Sequence, residues 1–269
     1  MNFNFTIFLV CVLTTTLYVM SSLSLSVKLV GIKTRKMAAT YSVYNIFLLI
    51  TRLATTLQAP LLSKHVETSI LLGQEPQTWI FYLVIMMSTL GSIIGALLIP
   101  TVYRFMILAV EKAHLQNSIF SIFYRLSPLK VYAHFKKSIK WPDQKNMEDL
   151  FNLKNLPLGI ISLNLIISCL QSVSVLSCLY AGYLNPALRS TCLSLNGFII
   201  GLSTLLSLLL TEPHLSISAD KVAFQAADES YFKRYLSLVI AARVLGTTLG
   251  FFFLVPLSHV VVFLAKNVF

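Results

Sequence analysis

The chain has 269 residues, of which 56% are hydrophobic and only 12% are charged, and its formal net charge is +11. Its mean hydropathy is +0.78. A soluble domain is closer to half apolar and a quarter charged, so a water-soluble core of this size cannot bury the excess. The composition therefore excludes an ordinary soluble globular protein and predicts a protein of the lipid bilayer.

Six apolar blocks are long enough to cross a bilayer, which takes about 20 residues in a helix. In chain order, we predict spans over residues 3–27, 37–62, 79–103, 156–180, 190–210 and 235–265. The N-terminal residues lack the basic segment and cleavage site of a signal peptide, so the first block is predicted to be a retained helix. The predicted fold class is an all-α integral membrane protein with six transmembrane helices.

The distribution of Lys and Arg predicts how these helices are oriented. The segments after the first, third and fifth helices hold sixteen basic residues, whereas the other connections and the C-terminal tail hold three. Because loops rich in Lys and Arg stay in the cytoplasm, the first group is predicted to be cytoplasmic. Both termini are then expected to face outward.

The segment 111–155, between the third and fourth helices, mixes basic and aromatic residues. Such a mixture is typical of an amphipathic helix that lies at the membrane surface and contacts anionic lipids. A specific lipid-headgroup site or partner site is the alternative. The basic residues lie between apolar blocks, so the net charge is attributed to the membrane and not to nucleic acid.

The two halves of the chain resemble each other. The sequence LGSIIG at 90–95 corresponds to LGTTLG at 245–250, and Pro100 and Pro256 follow at similar distances. Each half then holds three helices and, because three is odd, the halves are predicted to be inverted repeats. We divide the chain into a first repeat (1–110), the basic cytoplasmic segment (111–155) and a second repeat (156–269).

Inverted repeats recur among secondary transporters, where the substrate site lies between the repeats near the midplane of the membrane. The alternative is that the two halves match by chance, because GxxxG sequences are common wherever two membrane helices approach closely. The predicted repeat therefore also predicts that a substrate would bind between the two halves.

Arg52 and Arg243 are the lone charges inside their apolar spans. A central Arg costs about 2.5–3.5 kcal/mol on insertion scales, so each is expected to face a polar cavity or a partner. A guanidinium presents a planar fork of donors that suits phosphate or carboxylate. The pair predicts a site for an anionic substrate group, while a structural ion pair of Arg243 with Glu212 or Glu229 stays open.

Five further residues are candidates for the site. Asn45 and Gln58 share a predicted helix with Arg52, and Asn196 corresponds to Asn45 in the second half. They either line the cavity or bond a neighbouring helix. Glu212 and His214 end the fifth predicted helix, where a carboxylate beside a histidine can relay protons. The alternative for that pair is a loop cap.

Signatures of catalysis and metal binding are absent from the sequence. It holds no HExxH, no CxxC pair and no Gly-Lys dipeptide of a Walker A loop, so neither catalytic residues, nor a metal, nor a cofactor is predicted. Cys11, Cys169, Cys178 and Cys192 all lie in apolar blocks and are predicted to be small core residues.

Several motifs carry a resemblance to a known family. They are TRKMA at 34–38, TR at 51–52, QAPLL at 58–62, EP at 212–213 and RVLGT at 243–247. These segments resemble the Amj family of bacterial lipid II flippases, and the resemblance covers most of the chain.

That resemblance implies a protein of the bacterial cytoplasmic membrane that takes part in cell-wall synthesis. It implies transport of the undecaprenyl-pyrophosphate-linked precursor from the inner to the outer leaflet, with Arg52, Arg243, Arg35 and Lys36 holding the pyrophosphate. The expected partners are this lipid, anionic membrane lipids and cell-wall synthesis proteins. The alternatives are a membrane enzyme that uses the same arginines on a polyprenyl phosphate, and a non-transporting membrane subunit.

Overall fold

A computed structural model describes residues 5–116, 156–224 and 228–268, without the side chains of residues 37–39 and 108–116. Most of the predicted interfacial segment, residues 117–155, lies outside this range. The described elements are α1 (Phe5–Thr34), α2 (Met37–Leu71), α3 (Thr78–Gln116), α4 (Leu158–Leu184), a 3-10 turn (Pro186–Leu188), α5 (Arg189–Leu206), a π-helical segment (Ser207–Thr211), α6 (Glu212–Ala223) and α7 (Glu229–Asn267).

Six spans in the described residues are long and apolar enough to cross a membrane. Five of them are the single helices α1, α2, α3, α4 and α7. The remaining one, which we call the fifth span, is a continuous helical run made of the 3-10 turn, α5, the π-helical segment and α6. No strand occurs among the described residues. The prediction of an all-α membrane protein with six transmembrane helices is therefore confirmed.

The fifth span differs most from its predicted length. The prediction ended it at residue 210, but the helix continues through the π-helical segment to Ala223. Pro213 lacks the N–H that a regular helix would use there, and a π-helical turn changes the hydrogen-bonding pattern just before it. Thr211 Oγ1 also donates to the Ser207 carbonyl oxygen (2.8 Å), which ties this turn together.

The first residues of α7 were also missed, because the prediction began at 235 and the helix begins at Glu229. Asp228 caps this helix by accepting a hydrogen bond from the Ser230 backbone N–H (3.2 Å). Hydrogen bonds from Ser230 hold the pKa of the Asp228 carboxyl below its ordinary value. The apolar signal marks where the bilayer ends, whereas the cap marks where the helix begins.

Close packing of α3 on α1 depends on two glycines of α3. A Cβ atom at Gly91 would lie 2.7 Å from the Thr15 carbonyl oxygen, and one at Gly95 would lie 2.6 Å from Ser22 Cβ. Both distances are too short for a side chain, so the two backbones approach closely only because these residues are glycines. The helix α2 then packs along the same α1.

The second half packs in a corresponding way. A Cβ atom at Gly246 of α7 would clash with the Leu165 carbonyl oxygen of α4, and one at Gly250 would lie 2.7 Å from Ser172 Oγ. As α2 packs on α1, so α5 packs on α4, and α3 and α7 meet between the halves. The four cysteines are all buried in this packing, as predicted.

Candidate anion-binding cavity

A cavity of about 260 Å³ lies among the helices, and we call it the central cavity. Its walls come from α1, α2, α3, α4, α5, the π-helical segment, and Glu212 and Arg243. On α2 the lining runs from Tyr44 to Gln58, which is about 21 Å at 1.5 Å per residue. This length compares with the roughly 30 Å thickness of a hydrocarbon core.

The polar lining follows from helical spacing. The α1 residues recur every three or four positions, and the α2 residues do the same, so each set lies on one helix face. These residues are Thr14, Leu17, Tyr18, Ser21 and Ser24 of α1, and Tyr44, Leu48, Thr51, Arg52, Thr55 and Gln58 of α2. The Thr51 and Thr55 hydroxyls donate to backbone carbonyls one turn earlier (2.8 and 2.9 Å), so their donors are satisfied within α2.

The two arginines predicted from sequence both line the central cavity. Arg243 donates from Nη1 to the carbonyl oxygen (2.6 Å) and the hydroxyl (3.1 Å) of Ser21, which fixes this guanidinium against α1. Arg52 is exposed, and it forms no ion pair with another described residue. One guanidinium is thus held in place by the fold, and the other is presented by α2.

An ion pair lies at one end of the central cavity. Lys28 Nζ lies 2.6 Å from Glu212 Oε2, and the two side chains are 10% and 22% exposed. Lys28 Nζ also lies 5.9 Å from the centre of the Tyr44 ring, within range of a cation–π interaction. Because Lys28 neutralises Glu212, the charges of Arg52 and Arg243 leave the cavity positive.

The alternative ion pairs of Arg243 do not form. Glu212 contacts Lys28, and Glu229 pairs with Lys233 at 2.8 Å on the same helix. Glu212 and Arg243 nevertheless line the same cavity. Arg243 is therefore anchored by neutral oxygens of Ser21 and not by a bound carboxylate.

Neutral polar side chains complete the lining. Gln58 and Asn164 both line the cavity and are only 8% and 4% exposed. Asn164 Oδ1 has no hydrogen-bond partner among the described atoms. A buried polar atom without a protein partner needs water or a ligand, so this position is suited to a hydrated cavity. Gln171 of α4 adds another amide to the same wall.

Three of the predicted residues lie elsewhere. Arg35 has a φ of 54° in the corner between α1 and α2, and it lines a separate cavity that also contacts Asp228. Lys36 is the residue before α2, where its carbonyl accepts a hydrogen bond from Thr40 Oγ1 (2.9 Å). His214 Nδ1 lies 3.0 Å from the Tyr235 hydroxyl. None of the three lines the central cavity.

The two predicted asparagines are also absent from the cavity lining. Asn45 is exposed on α2, and Asn196 has a buried Oδ1 without a partner among the described atoms. The structure therefore brings together Arg52, Arg243, Gln58 and Glu212 from the predicted set, and the roles of all the predicted residues stay predictions.

Sequence reasoning missed Lys28, Ser21, Tyr44 and Asn164. Lys28 was counted with the basic loop after α1, although it lies inside the helix. Ser21, Tyr44 and Asn164 are polar residues in apolar segments, as are many that do not line the cavity. The available signal was the helical spacing of polar residues at positions 14, 18, 21, 24 and 28 of α1. In the described parts of the chain, no three metal-binding side chains come together.

Fold and site together define a polytopic helical membrane protein with a positively charged internal cavity. The sequence profile of the Amj family, described as "Alternate to MurJ", matches residues 13–265. The chain therefore belongs to the Amj family.

A relative from Bacillus subtilis (strain 168) is named lipid II flippase Amj. It is 24% identical to this chain over 251 residues, which cover 91% of each protein. A flippase is a transporter and not an enzyme. No solved structure matches this chain.

Proposed function

We propose that this protein is a flippase that moves lipid II, the undecaprenyl-pyrophosphate-linked peptidoglycan precursor, from the inner to the outer leaflet. The observation that carries this proposal is that Arg52 and Arg243 face one cavity inside the membrane. Membership of the Amj family and the name of the Bacillus subtilis relative support the choice of substrate.

The chemistry of the cavity suits the headgroup of this lipid. Guanidinium groups bind phosphate oxygens through charge-assisted hydrogen bonds, which are stronger than those between neutral groups. Amide groups from Gln58, Asn164 and Gln171 suit a sugar and peptide headgroup. The lipid is displaced without breaking a covalent bond, so no nucleophile, metal or cofactor is required.

The polyprenyl chain stays in the bilayer during this movement. Leu49, Leu53 and Leu57 on α2 are each more than half exposed, and their spacing puts them on one face of the helix. Arg52 is exposed on the same helix and lines the cavity. The side of α2 therefore offers a boundary where an apolar tail contacts lipid while its headgroup enters the cavity.

Alternating access between two inverted repeats is the proposed mechanism. The repeat is supported by the corresponding contacts of Gly91 with Thr15 and of Gly246 with Leu165. We divide the chain as the sequence indicates, into 1–110, 111–155 and 156–269. The basic middle segment is proposed to be cytoplasmic and to contact anionic lipids, and both termini are proposed to face outward.

The test is growth of cells that depend on this protein as their only lipid II flippase. Arg52→Ala is expected to abolish growth while the protein still inserts, because it removes the one arginine of the cavity that the fold does not hold in place. Lys64→Ala is the matched control, since Lys64 is an exposed cation of the same helix outside the cavity lining. Normal growth with Arg52→Ala would contradict the proposal.

A membrane enzyme that uses the same arginines gives a different result. Purified protein in detergent, incubated with lipid II, is expected to leave the lipid chemically unchanged. Chromatographic detection of a cleaved or transferred product would favour the enzyme.

A further inference from the structure

A second cavity adjoins the central cavity and shares a wall with it. It measures about 230 Å³, and its lining is mostly apolar. Tyr44 lines both cavities, Lys28 lines the second, and Glu212 lines the central one. The Lys28–Glu212 ion pair therefore lies on the wall between them.

Polar and apolar contacts join α1 and α2 to the fifth span at this end. Besides the ion pair, the Tyr41 hydroxyl lies 3.1 Å from Ser216 Oγ. Farther along, α2 and α5 both line the central cavity. At its other end α2 contacts α5, where Glu67 and Arg189 lie 3.5 Å apart. Leu25 of α1 packs in one apolar cluster with Leu215 and Ala219 of α6, so the ion pair is the charged part of a wall that is otherwise largely apolar.

The ion pair can open only if each charge finds another partner. Both side chains are largely shielded from solvent, and separating a shielded pair leaves an uncompensated charge, which is costly. A phosphate group can replace Glu212 as the partner of Lys28, because it carries negative charge and several acceptor oxygens. Glu212 in turn lines the same cavity as Arg243, whose opposite charge is available to it there.

We propose that the Lys28–Glu212 pair is a gate between the two cavities, which opens when a phosphate-bearing lipid headgroup replaces Glu212 as the partner of Lys28. This inference rests on the proposed function, since the headgroup is that of the transported lipid. Tyr44 stays in contact with Lys28 and aligns it during the exchange. Asp220 also lines the second cavity, and its negative charge would repel a phosphate. Its side chain is exposed, so solvent screens this charge.

The gate is tested by the accessibility of a cysteine in the central cavity. Thr204→Cys on α5 provides this probe in a protein whose four native cysteines are replaced. Vesicles of known orientation expose the face that carries residues 29–36 to a membrane-impermeant thiol reagent. Glu212→Gln is expected to raise the labelling rate roughly tenfold, the effect of losing a charged hydrogen bond worth about 1.4 kcal/mol.

Ligand dependence is measured in the same vesicles. Farnesyl diphosphate is expected to speed labelling of the protein with an intact ion pair, whereas farnesol, which lacks the phosphates, is not. Lys28→Met is expected to label fast without ligand and to show no further response to farnesyl diphosphate. Glu67→Gln is the matched control, and it should leave labelling from this face unchanged.

The gate proposal is wrong if Glu212→Gln and Lys28→Met are labelled at the same rate as the protein with an intact ion pair. It is also wrong if farnesol and farnesyl diphosphate have equal effects. The double charge reversal Lys28→Glu with Glu212→Lys should restore slow labelling in the absence of ligand, which excludes unfolding as the cause of fast labelling. The flippase proposal fails separately, if the gate responds to farnesyl diphosphate but the protein does not move lipid II between leaflets.

Discussion

A charged side chain inside a membrane span must find polar partners, and the arginines of this protein do so in different ways. Arg243 donates to the backbone and hydroxyl oxygens of Ser21. Arg52 lines the same cavity without an ion-pair partner among the described residues. Arg243 is therefore held in place by the fold, whereas Arg52 is the arginine that we propose to be available to a ligand.

Replacing Arg243 should weaken binding of a phosphate-bearing lipid. Arg243→Lys keeps the charge but loses the planar fork of donors, so we expect roughly tenfold weaker binding of farnesyl diphosphate, and a larger loss for Arg243→Gln. Binding to the purified protein can be followed by microscale thermophoresis. Lys266→Gln removes an exposed charge from the same helix and should bind normally.

Equal affinities for Arg243→Gln and Lys266→Gln would show that the cavity charge does not bind the diphosphate. A thermal unfolding curve of each variant separates a lost site from a lost fold.

The sequence identifies the arginines more readily than their neighbours. A lone charge in an apolar block is conspicuous, and the cost of placing it in lipid is enough to predict a polar cavity around it. The sequence does not identify Lys28 as a site residue, because it lies at the end of a span beside other basic residues. A lysine in that position commonly extends its charged end to the membrane surface. Its contact with Glu212 joins positions 184 residues apart, and no local pattern reveals it.

At the level of helices, the glycines determine which pairs pack closely. Gly246 of α7 lies against the Leu165 carbonyl oxygen of α4, and Gly91 of α3 lies against that of Thr15 on α1. Gly197 of α5, by contrast, has open space around it. Glycines in similar apolar sequences thus differ in what they contribute to stability.

Gly246→Val is expected to destabilise the protein by about 1–3 kcal/mol, because the added side chain must push two backbones apart. Gly197→Val makes the same chemical change on a helix face with room for it and should leave stability nearly unchanged. Thermal unfolding of the purified proteins in detergent measures both. Equal unfolding temperatures for the two variants would contradict the packing of α7 on α4.

The existence of each span could be predicted, but its full length could not. Apolar runs report the part of a helix inside the bilayer, so α3 and the fifth span continue beyond their predicted ends at 103 and 210. The π-helical segment before Pro213 was not predicted either, since a proline after an apolar run usually indicates a helix end. As a result Glu212 was assigned to a helix end, whereas it lies within a continuous helical run.

For the molecule as a whole, the proposed orientation has a simple consequence. If the basic segments face the cytoplasm, Lys33 and the end of α7 at Asn267 lie on opposite sides of the membrane. In intact cells, an impermeant thiol reagent is expected to label Asn267→Cys and not Lys33→Cys. Labelling of Lys33→Cys alone would reverse the topology and, with it, the direction assigned to the gate.

The architecture of the whole molecule is only partly readable from sequence. The GxxxG sequences at 91–95 and 246–250 indicated that the two halves correspond, and their contacts with α1 and α4 agree with that pattern. The sequence predicted a site between the halves, and residues of both halves line the central cavity. Most of its neutral lining followed from no motif, because it depends on how six helices assemble and on small polar residues at helical spacing. The predicted interfacial segment lies mainly outside the described residues and stays a prediction.

In the proposed mechanism, a polar cavity with two arginines carries the headgroup of lipid II across the membrane. The most direct measurement is the leaflet accessibility of lipid II in cells in which this protein is the only candidate flippase. An externally added enzyme that cleaves lipid II should reach the lipid when the protein is intact, and should not when Arg52 is replaced by Ala. Equal cleavage in cells with either protein, or in cells without it, would contradict the account.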